Sequence, residues 1–201
     1  AEGLKLILDE KLRQAGCEVL FHTFLGHVNV EDGAICSITV CNKDGLHELS
    51  GRVFVDATGD GDLAAWSGET MTKGRPEDGA AQPMTMNVKY CGVDTERLKS
   101  YVLAHPERFF RLAPHMELFR VTEPVDLEGF DEEFKQAKRE GRLSISRENI
   151  LMFGTGRDGE YILNTTRIVE HDATDAVSLS EAEYLGRKQC AELDAFVHET
   201  V

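Results

Sequence analysis

The sequence predicts an α+β fold, and three observations support this class. Apolar residues at helical spacing mark an amphipathic helix from Leu4 to Ala15. A β-meander follows, in which Asp32-Gly33 between two apolar-rich runs is a strong hairpin signal. Further helices and short strands then lead to a long helix, predicted from Ser180 to Val197, whose start matches a capping box formed with Glu183.

Composition limits the class of protein and its partners. The 201 residues suffice for one large domain or two small ones. The formal net charge of −14 argues against a nucleic-acid partner, which demands basic patches, and against an anionic membrane surface. No apolar run approaches the ~20 residues of a membrane helix. Five dispersed cysteines without a C-x-x-C pair indicate reduced thiols and a cytoplasmic location.

The first half of the chain is predicted to be mainly β-structure. Gly16 ends the first helix, at a position that needs a left-handed backbone. The next strands are predicted at Cys17–Phe24, Gly26–Val30, Ala34–Val40, Leu46–Leu49 and Val53–Val55. The last of these is a short apolar run, which indicates a buried strand in a central sheet.

The second half is predicted to mix short helices and strands. Residues 69–82 form a polar, glycine-rich loop, and residues 105–125 form a loop-rich link because Pro114 and Pro124 interrupt them. The other predicted elements are a strand at Pro83–Cys91, a helix opened by Asp94, a helix at Phe130–Gly141, and a hairpin of Ile150–Phe153 with Tyr161–Leu163.

The loop Asp56–Asp62 is the most informative segment. Its glycines, Gly59 and Gly61, let the backbone turn sharply after a strand and approach a ligand closely. The structural alternative, which can hold at the same time, is that Asp60 or Asp62 caps the helix that starts at Leu63, which is worth ~1 kcal/mol. The segment also partly matches a calcium loop. Its twelfth position is Ser67 rather than Glu, and a strand precedes it, so we predict no metal site.

Asp56-Ala-Thr-Gly-Asp-Gly-Asp62 resembles the second flavin-contacting motif of FAD-dependent oxidoreductases with the glutathione-reductase-type fold. In those proteins a strand ending in Ala-Thr-Gly returns to the sheet beside the FAD. Further segments resemble the family in the same order, over roughly three quarters of the chain. They are Gly74–Gly79, Gln82–Met86, Gly92–Asp94, Asn164–Arg167, Asp172–Asp175, Leu179–Glu183 and Gly186-Arg187.

The resemblance implies a fold derived from an α/β FAD-binding sheet. Residues 1–82 would form part of that FAD-binding domain, residues 83–178 a mixed-sheet substrate or cap domain, and residues 179–201 a helix returning toward the FAD domain. The family opens with a strand, Gly-x-Gly-x-x-Gly and a helix that hold the FAD pyrophosphate, and this chain has no such fingerprint. We therefore expect an internal fragment of a larger flavoenzyme; whether the fragment itself binds FAD is open.

The resemblance also implies cofactor-binding residues. Thr58, Gly59, Asp60, Gly61 and Asp62 would contact FAD, through backbone N–H groups and through an acidic side chain that hydrogen-bonds a flavin hydroxyl. Phe24 at the end of the predicted strand, together with Thr23, would lie near the adenine.

Three residues are candidates for catalysis. Arg167 could bind a substrate carboxylate or stabilise negative charge on the reduced flavin, because its guanidinium is always charged. The alternative is a salt bridge to Glu170 or Asp172. His115 and Arg120 are candidate acid–base or anion-binding groups. No triad spacing links them, and the alternative for each is an ordinary surface residue.

These observations predict an FAD-dependent oxidoreductase that transfers a hydride or electrons on a small-molecule substrate, with an electron-transfer partner and a homo-oligomer left open. The alternative is a non-catalytic α+β binding or structural module that is inactive in isolation. The ordered motifs favour the enzyme for the parent protein. The missing fingerprint favours the module for this polypeptide.

Overall fold

The computed structural model describes residues 2–123 and 125–200. The chain divides into two compact units, Ala1–Thr72 (unit 1) and Lys73–Val201 (unit 2). Helices accompany an antiparallel sheet in each unit, which confirms the predicted α+β class. The predicted functional division at residue 82 stays a prediction, because compactness does not report on what each part binds.

Unit 1 is built on a β-meander. Its elements are α1 (Glu2–Gln14), β1 (Phe24–Glu31), β2 (Ala34–Asn42), β3 (Gly45–Ser50) and α2 (Asp62–Trp66). The strands pair antiparallel in the order β1-β2-β3. Asp32 and Gly33 both have positive φ, at 50° and 77°, as the two-residue hairpin turn demands. Gly16 also has a positive φ, 72°, so the predicted end of the first helix is confirmed.

Two strands predicted in unit 1 are absent. Cys17–Phe24 is irregular up to Thr23, and only Phe24 belongs to β1. Val53–Val55 is irregular as well, and the side chains of Val53 and Val55 are 81% and 83% exposed. An apolar run indicates burial, but a strand forms only where a neighbour completes its backbone hydrogen bonds. Among the described residues, no strand pairs with residues 17–23 or with Val53–Val55.

Unit 2 surrounds a four-stranded sheet. Its elements are β4 (Val88–Tyr90), α3 (Thr95–Ala104), 3₁₀ turns at Pro106–Arg108 and Ala113–His115, α4 (Met116–Val121), β5 (Asp126–Gly129), α5 (Asp131–Arg139), β6 (Ile150–Gly154), β7 (Tyr161–Leu163) and α6 (Ala176–Thr200). The strand order is β4-β7-β6-β5, and every described pairing is antiparallel rather than mixed as predicted. The hairpin of β6 and β7 is confirmed.

Several element boundaries in unit 2 differ from the prediction. The strand predicted at Pro83–Cys91 reduces to β4, with an isolated bridge between Met84 and Ile168. The link 105–125 is largely helical. Pro114 lies at the start of a 3₁₀ turn, where its missing N–H has no cost; Pro124 lies outside the described residues. Strand β5 was not predicted, because its four residues are too few to show alternation.

Helix α6 starts earlier than its predicted capping box. The side chain of Asp175 accepts a hydrogen bond from the backbone N–H of Ser178 (2.7 Å), so Asp175 caps this helix. Ser180 lies one turn inside, and its Oγ donates to the carbonyl of Ala176 (2.7 Å). By contrast, Asp94 caps α3 as predicted, accepting from the N–H of Arg97 at 2.9 Å.

The core of unit 2 joins the sheet to helices α3, α5 and α6. Phe134 of α5 meets Phe196 of α6 edge to face, with ring centroids 5.4 Å apart. Phe109 and Phe130 form a similar pair at 5.2 Å. Gly129 permits this second contact, because a Cβ there would lie 2.4 Å from the Phe109 ring. The first pair joins α5 to α6, and the second joins the start of α5 to the segment after the 3₁₀ turn Pro106–Arg108.

Candidate functional site

The loop Asp56–Asp62 of unit 1 is organised by one carboxylate. Oδ1 of Asp56 accepts hydrogen bonds from the backbone N–H (2.9 Å) and the hydroxyl (2.7 Å) of Thr58, and Oδ2 accepts from the N–H of Ala64 in α2 (2.9 Å). These hydrogen bonds lower the pKa of Asp56 below its ordinary value, and the bond from the N–H of Ala64 has the largest effect. The Thr58 hydroxyl in turn accepts from the N–H of Asp62 (2.8 Å). Asp56 and Thr58 therefore hold the loop against the start of α2.

The alternative role of Asp60 or Asp62, as the cap of α2, is wrong. The N-cap residue is Gly61, which has φ 73° and makes no side-chain cap hydrogen bond. Asp56 and Thr58 satisfy the first N–H groups of the helix instead. The carboxylates of Asp60 and Asp62 make no hydrogen bond or ion pair within residues 2–123 and 125–200, so both are available to a ligand.

The outer side of the loop presents unused donors. Within the described chain, the backbone N–H groups of Gly59, Asp60 and Gly61 have no hydrogen-bond partner. A Cβ added to Gly59 would meet no heavy atom within 4 Å, whereas one on Gly61 would lie 2.8 Å from Cε of Met71. The space beside Gly59 is therefore free for a ligand, whereas the side chain of Met71 fills the space beside Gly61. Consecutive free N–H groups of this kind suit the oxygen atoms of an anionic or hydroxylated cofactor.

Segment Asn164–Arg167 of unit 2 is anchored by side chains rather than by a sheet ladder. The hydroxyl of Thr165 bridges the N–H (3.0 Å) and C=O (3.1 Å) of Leu151. The hydroxyl of Thr166 does the same for Met86, with both distances at 2.8 Å. Both threonines are fully buried. The two side chains take over the bridging role of backbone groups where β7 has ended. They fix the segment between β6 and the irregular residues just before β4.

Gln189 holds the next residue in the same way. Its side-chain oxygen accepts from the N–H of Arg167 (2.8 Å), and its side-chain nitrogen donates to the Arg167 carbonyl (3.1 Å). Gln189 lies on α6 and is 2% exposed. Helix α6 comes close here because Gly186 has no side chain; a Cβ there would lie 3.1 Å from Cε of Met86. The peptide of Arg167 is therefore fixed on both sides.

The guanidinium of Arg167 has no ion-pair or hydrogen-bond partner in the described part of the chain. The alternative of a salt bridge to Glu170 or Asp172 is wrong, because Asp172 pairs with Lys73 and no described ion pair joins Arg167 to Glu170. Interactions with Lys73, which has the larger effect, and with Thr174 lower the pKa of Asp172 to about 2. Arg167 is half-buried with a rigid backbone and an uncommitted charge, which is the condition for binding an anionic group.

His115 and Arg120 lie elsewhere in unit 2, beside the start and near the end of α4. Both are exposed, and Nε of Arg120 makes a long contact of 3.9 Å with Oε2 of Glu117. Among described residues, no hydrogen bond, ion pair or ring contact joins either of them to Arg167. Phe24, the first residue of β1, is 74% exposed. The structure thus keeps Thr58–Asp62 in one loop, and it shows no described contact between Arg167 and the two candidates beside α4.

One further segment has glycines at fingerprint spacing. Gly154-Thr-Gly-Arg-Asp-Gly159 reads Gly-x-Gly-x-x-Gly, but it connects β6 to β7 as an antiparallel hairpin. Strand β7 follows it rather than a helix. Gly159 packs closely against Val93, because a Cβ added at Gly159 would lie 2.9 Å from the Val93 carbonyl oxygen. The segment therefore lacks the strand–loop–helix context of a dinucleotide site.

Sequence reasoning missed two residues that build these sites, Asp56 and Gln189. The Asp-x-Thr spacing of Asp56 and Thr58 is a recognisable signal for a side-chain-stabilised turn. The only sequence signal for Gln189 is its position on the buried face of a helix, because a buried polar residue needs a hydrogen-bond partner. Among the described residues, no cluster of His, Cys, Asp and Glu is suited to a metal ion, and no helix could span a membrane.

A family model of FAD dependent oxidoreductases matches residues 1–201, which is the whole chain. The two units and the exposed glycine loop thus belong to a flavoprotein of the oxidoreductase class. The chain is a member of the FAD-dependent oxidoreductase family, and FAD is the cofactor of that family. No curated protein and no solved structure matches the chain at a significant level.

Proposed function

We propose that this chain belongs to an oxidoreductase of the glutathione-reductase type, in which residues 1–82 contribute to the FAD site. Bound FAD supplies the hydride or electron transfer, which protein side chains alone do not provide. The observation that carries the proposal is the loop Thr58–Asp62, in which three consecutive N–H groups have no partner among the described residues and Gly59 borders open space. The whole-chain family match supports it independently.

Each loop residue has a distinct part in this proposal. The N–H groups of Gly59 and Gly61 donate to cofactor oxygen atoms, and Asp60 or Asp62 accepts a hydrogen bond from a cofactor hydroxyl. Thr58 acts through its position, because its hydroxyl is already used by Asp56 and Asp62. Phe24 is proposed to lie near the adenine, and its exposed ring can stack on a base.

Residues 83–178 are proposed as the substrate domain, with helix 179–201 returning toward the FAD domain. Arg167 would bind a carboxylate of a small-molecule substrate, because its guanidinium is uncommitted while Gln189 fixes its backbone. His115 and Arg120 are proposed as additional anion-binding groups at the surface. A cytoplasmic location fits the five free cysteines.

Retention of FAD by the purified chain tests this proposal. The chain is incubated with excess FAD and desalted, and the visible flavin absorbance is measured against protein concentration. Gly59→Leu should weaken FAD binding by about tenfold or more, equivalent to about 1.4 kcal/mol, because the side chain fills the open approach. Gly156→Leu is the matched control, since Gly156 in unit 2 is equally uncrowded.

Two outcomes would count against a cofactor loop at Gly59. One is a folded wild-type chain that retains no flavin. The other is equal flavin retention by Gly59→Leu and the wild type. Circular dichroism of both variants establishes that the substitutions leave the fold intact.

A further inference from the structure

Unit 2 contains a cavity whose lining includes no residue of the cofactor loop Thr58–Asp62. It has a volume of about 390 Å³ and lies beside the start of α5, where Asp131 is the first residue of the helix. Its lining consists of Glu107, Arg108, Phe110, Arg111, four residues of the first turns of α5, and Glu148. This volume is within the range of small-molecule sites in proteins.

Asp131 is the buried polar group of this cavity. Its side chain is 9% exposed, and its Oδ1 accepts a hydrogen bond from Nη1 of Arg111 at 2.6 Å. Its Oδ2 is buried and, among the residues that the structure describes, has no hydrogen-bond partner. Because an unpaired buried carboxylate oxygen is costly, a missing donor is the simplest account of this arrangement.

The charged residues around Asp131 carry an excess of negative charge, which favours the binding of a further cation. Arg111 also contacts Glu128, with Nε and Oε1 at 3.0 Å, so two carboxylates share one guanidinium. The other basic side chains of the lining are already paired, Arg108 with Glu133 and Lys135 with Glu132. Five acidic and three basic residues line the cavity, which gives it a formal charge of −2.

The cavity also offers an aromatic surface. Phe110 lines it and is 56% exposed, and the guanidinium of Arg111 lies 4.4 Å from the centroid of its ring. Aromatic rings attract organic cations as well as apolar groups. A metal ion fits less well, because none of the described acidic residues belongs to a cluster suited to a metal.

We propose that this cavity binds the ammonium or guanidinium group of a small organic cation, with Oδ2 of Asp131 as the acceptor and Phe110 against its apolar part. The proposal does not depend on FAD, so its outcome is separate from that of the cofactor loop. Its ligand class follows from one orphaned acceptor, a net negative lining and an exposed ring.

Titration of the full chain with n-butylamine, in the absence of FAD and followed by amide NMR, tests the proposal. The neutral probe n-butanol is titrated in parallel. Saturable shifts around residues 107–111 and 131–135 are expected for the amine alone. Asp131→Asn should weaken binding by about tenfold or more. Glu117→Gln removes the same charge at a 92% exposed side chain outside the cavity and should leave binding unchanged.

A second variant keeps the test decisive if Asp131→Asn does not fold. Phe110→Ala changes an exposed side chain and should weaken amine binding several-fold. The proposal is overturned if the folded wild type shows no saturable binding, if butanol binds as well as the amine, or if the folded variants at Asp131 and Phe110 bind like the wild type.

Discussion

Units 1 and 2 bury very different numbers of apolar side chains. Of the described apolar residues that are buried, nineteen belong to unit 2 and three to unit 1, namely Val28, Val40 and Leu63. Of the large apolar residues that are exposed, sixteen belong to unit 1 and eight to unit 2. Unit 2 is therefore stabilised by a packed core. Unit 1 depends more on the backbone ladder of its meander and on the hydrogen bonds of Asp56.

The difference shows that the same sequence signal, an apolar run, has different outcomes in the two units. In unit 2, β6 and β7 pair with each other, and Ile150 and Leu163 are 1% exposed. In unit 1, Val53–Val55 pairs with no described strand, and Val53 and Val55 stay exposed. Burial requires a facing surface, and an apolar run by itself does not supply one.

The largest expected effect is a core truncation in unit 2. Phe134→Ala should lower the free energy of unfolding by about 3–5 kcal/mol, because the ring is fully buried against Phe196. Leu20→Ala in unit 1 is the control and should change it by no more than about 0.5 kcal/mol, since Leu20 is 60% exposed. Urea denaturation followed by far-UV circular dichroism measures both. Equal losses would break the contrast between the units.

The second prediction concerns buried polar groups in unit 2. Gln189→Leu should cost about 1–3 kcal/mol, because it leaves the N–H and C=O of Arg167 without their partner. The control Gln136→Leu removes an exposed side chain from α5 and should be nearly neutral. If the two leucine variants unfold at the same urea concentration, Gln189 does not hold the Arg167 segment.

The third prediction concerns the start of helix α6. Asp175→Ala should cost about 1 kcal/mol, because it removes the hydrogen bond to the N–H of Ser178. Ser180→Ala should be close to neutral or stabilising, because Ser180 lies inside the helix and bonds back to Ala176. Thermal denaturation of the two variants compares them directly. The reverse order of melting temperatures would favour the capping box at Ser180.

The smallest expected effect compares the same tripeptide in the two units. Asp56-Ala-Thr58 and Asp172-Ala-Thr174 form the same turn, with Oδ1 accepting from the N–H and hydroxyl of the threonine. The second role of the carboxylate differs: Asp56 binds the N–H of Ala64, and Asp172 pairs with Lys73.

Both pKa values are lowered on folding, so each carboxylate stabilises the folded chain above its ordinary pKa of 3.8. The Asp172 contribution is lost as the pH falls from about 4 toward its folded pKa of about 2. Urea midpoints of wild type and Asp172→Asn should therefore converge at low pH. About 1 M salt should weaken the contribution of Asp172, which rests on an exposed ion pair, and leave that of Asp56 unchanged. Equal salt sensitivity of Asp56→Asn and Asp172→Asn would contradict this difference.

Much of the local structure followed from the sequence. The meander, the turn at Asp32-Gly33, the cap at Asp94 and the hairpin of β6 and β7 depend on residues close together in the chain. The flavoprotein family was also recognisable from the order of short motifs, and the family match agrees. Backbone torsion preferences and short-range hydrogen bonds act within a few residues, so they leave a readable pattern.

The tertiary structure decided which residues of the candidate sites are committed and which are available. Thr166 finds its partner Met86 at a separation of 80 residues, and Arg167 finds Gln189 at a separation of 22. Asp172 forms an ion pair with Lys73, and the guanidinium of Arg167 has no ion-pair partner among the described residues. No local pattern encodes these choices, because a side chain pairs with whichever group the packing of distant elements brings within about 3 Å.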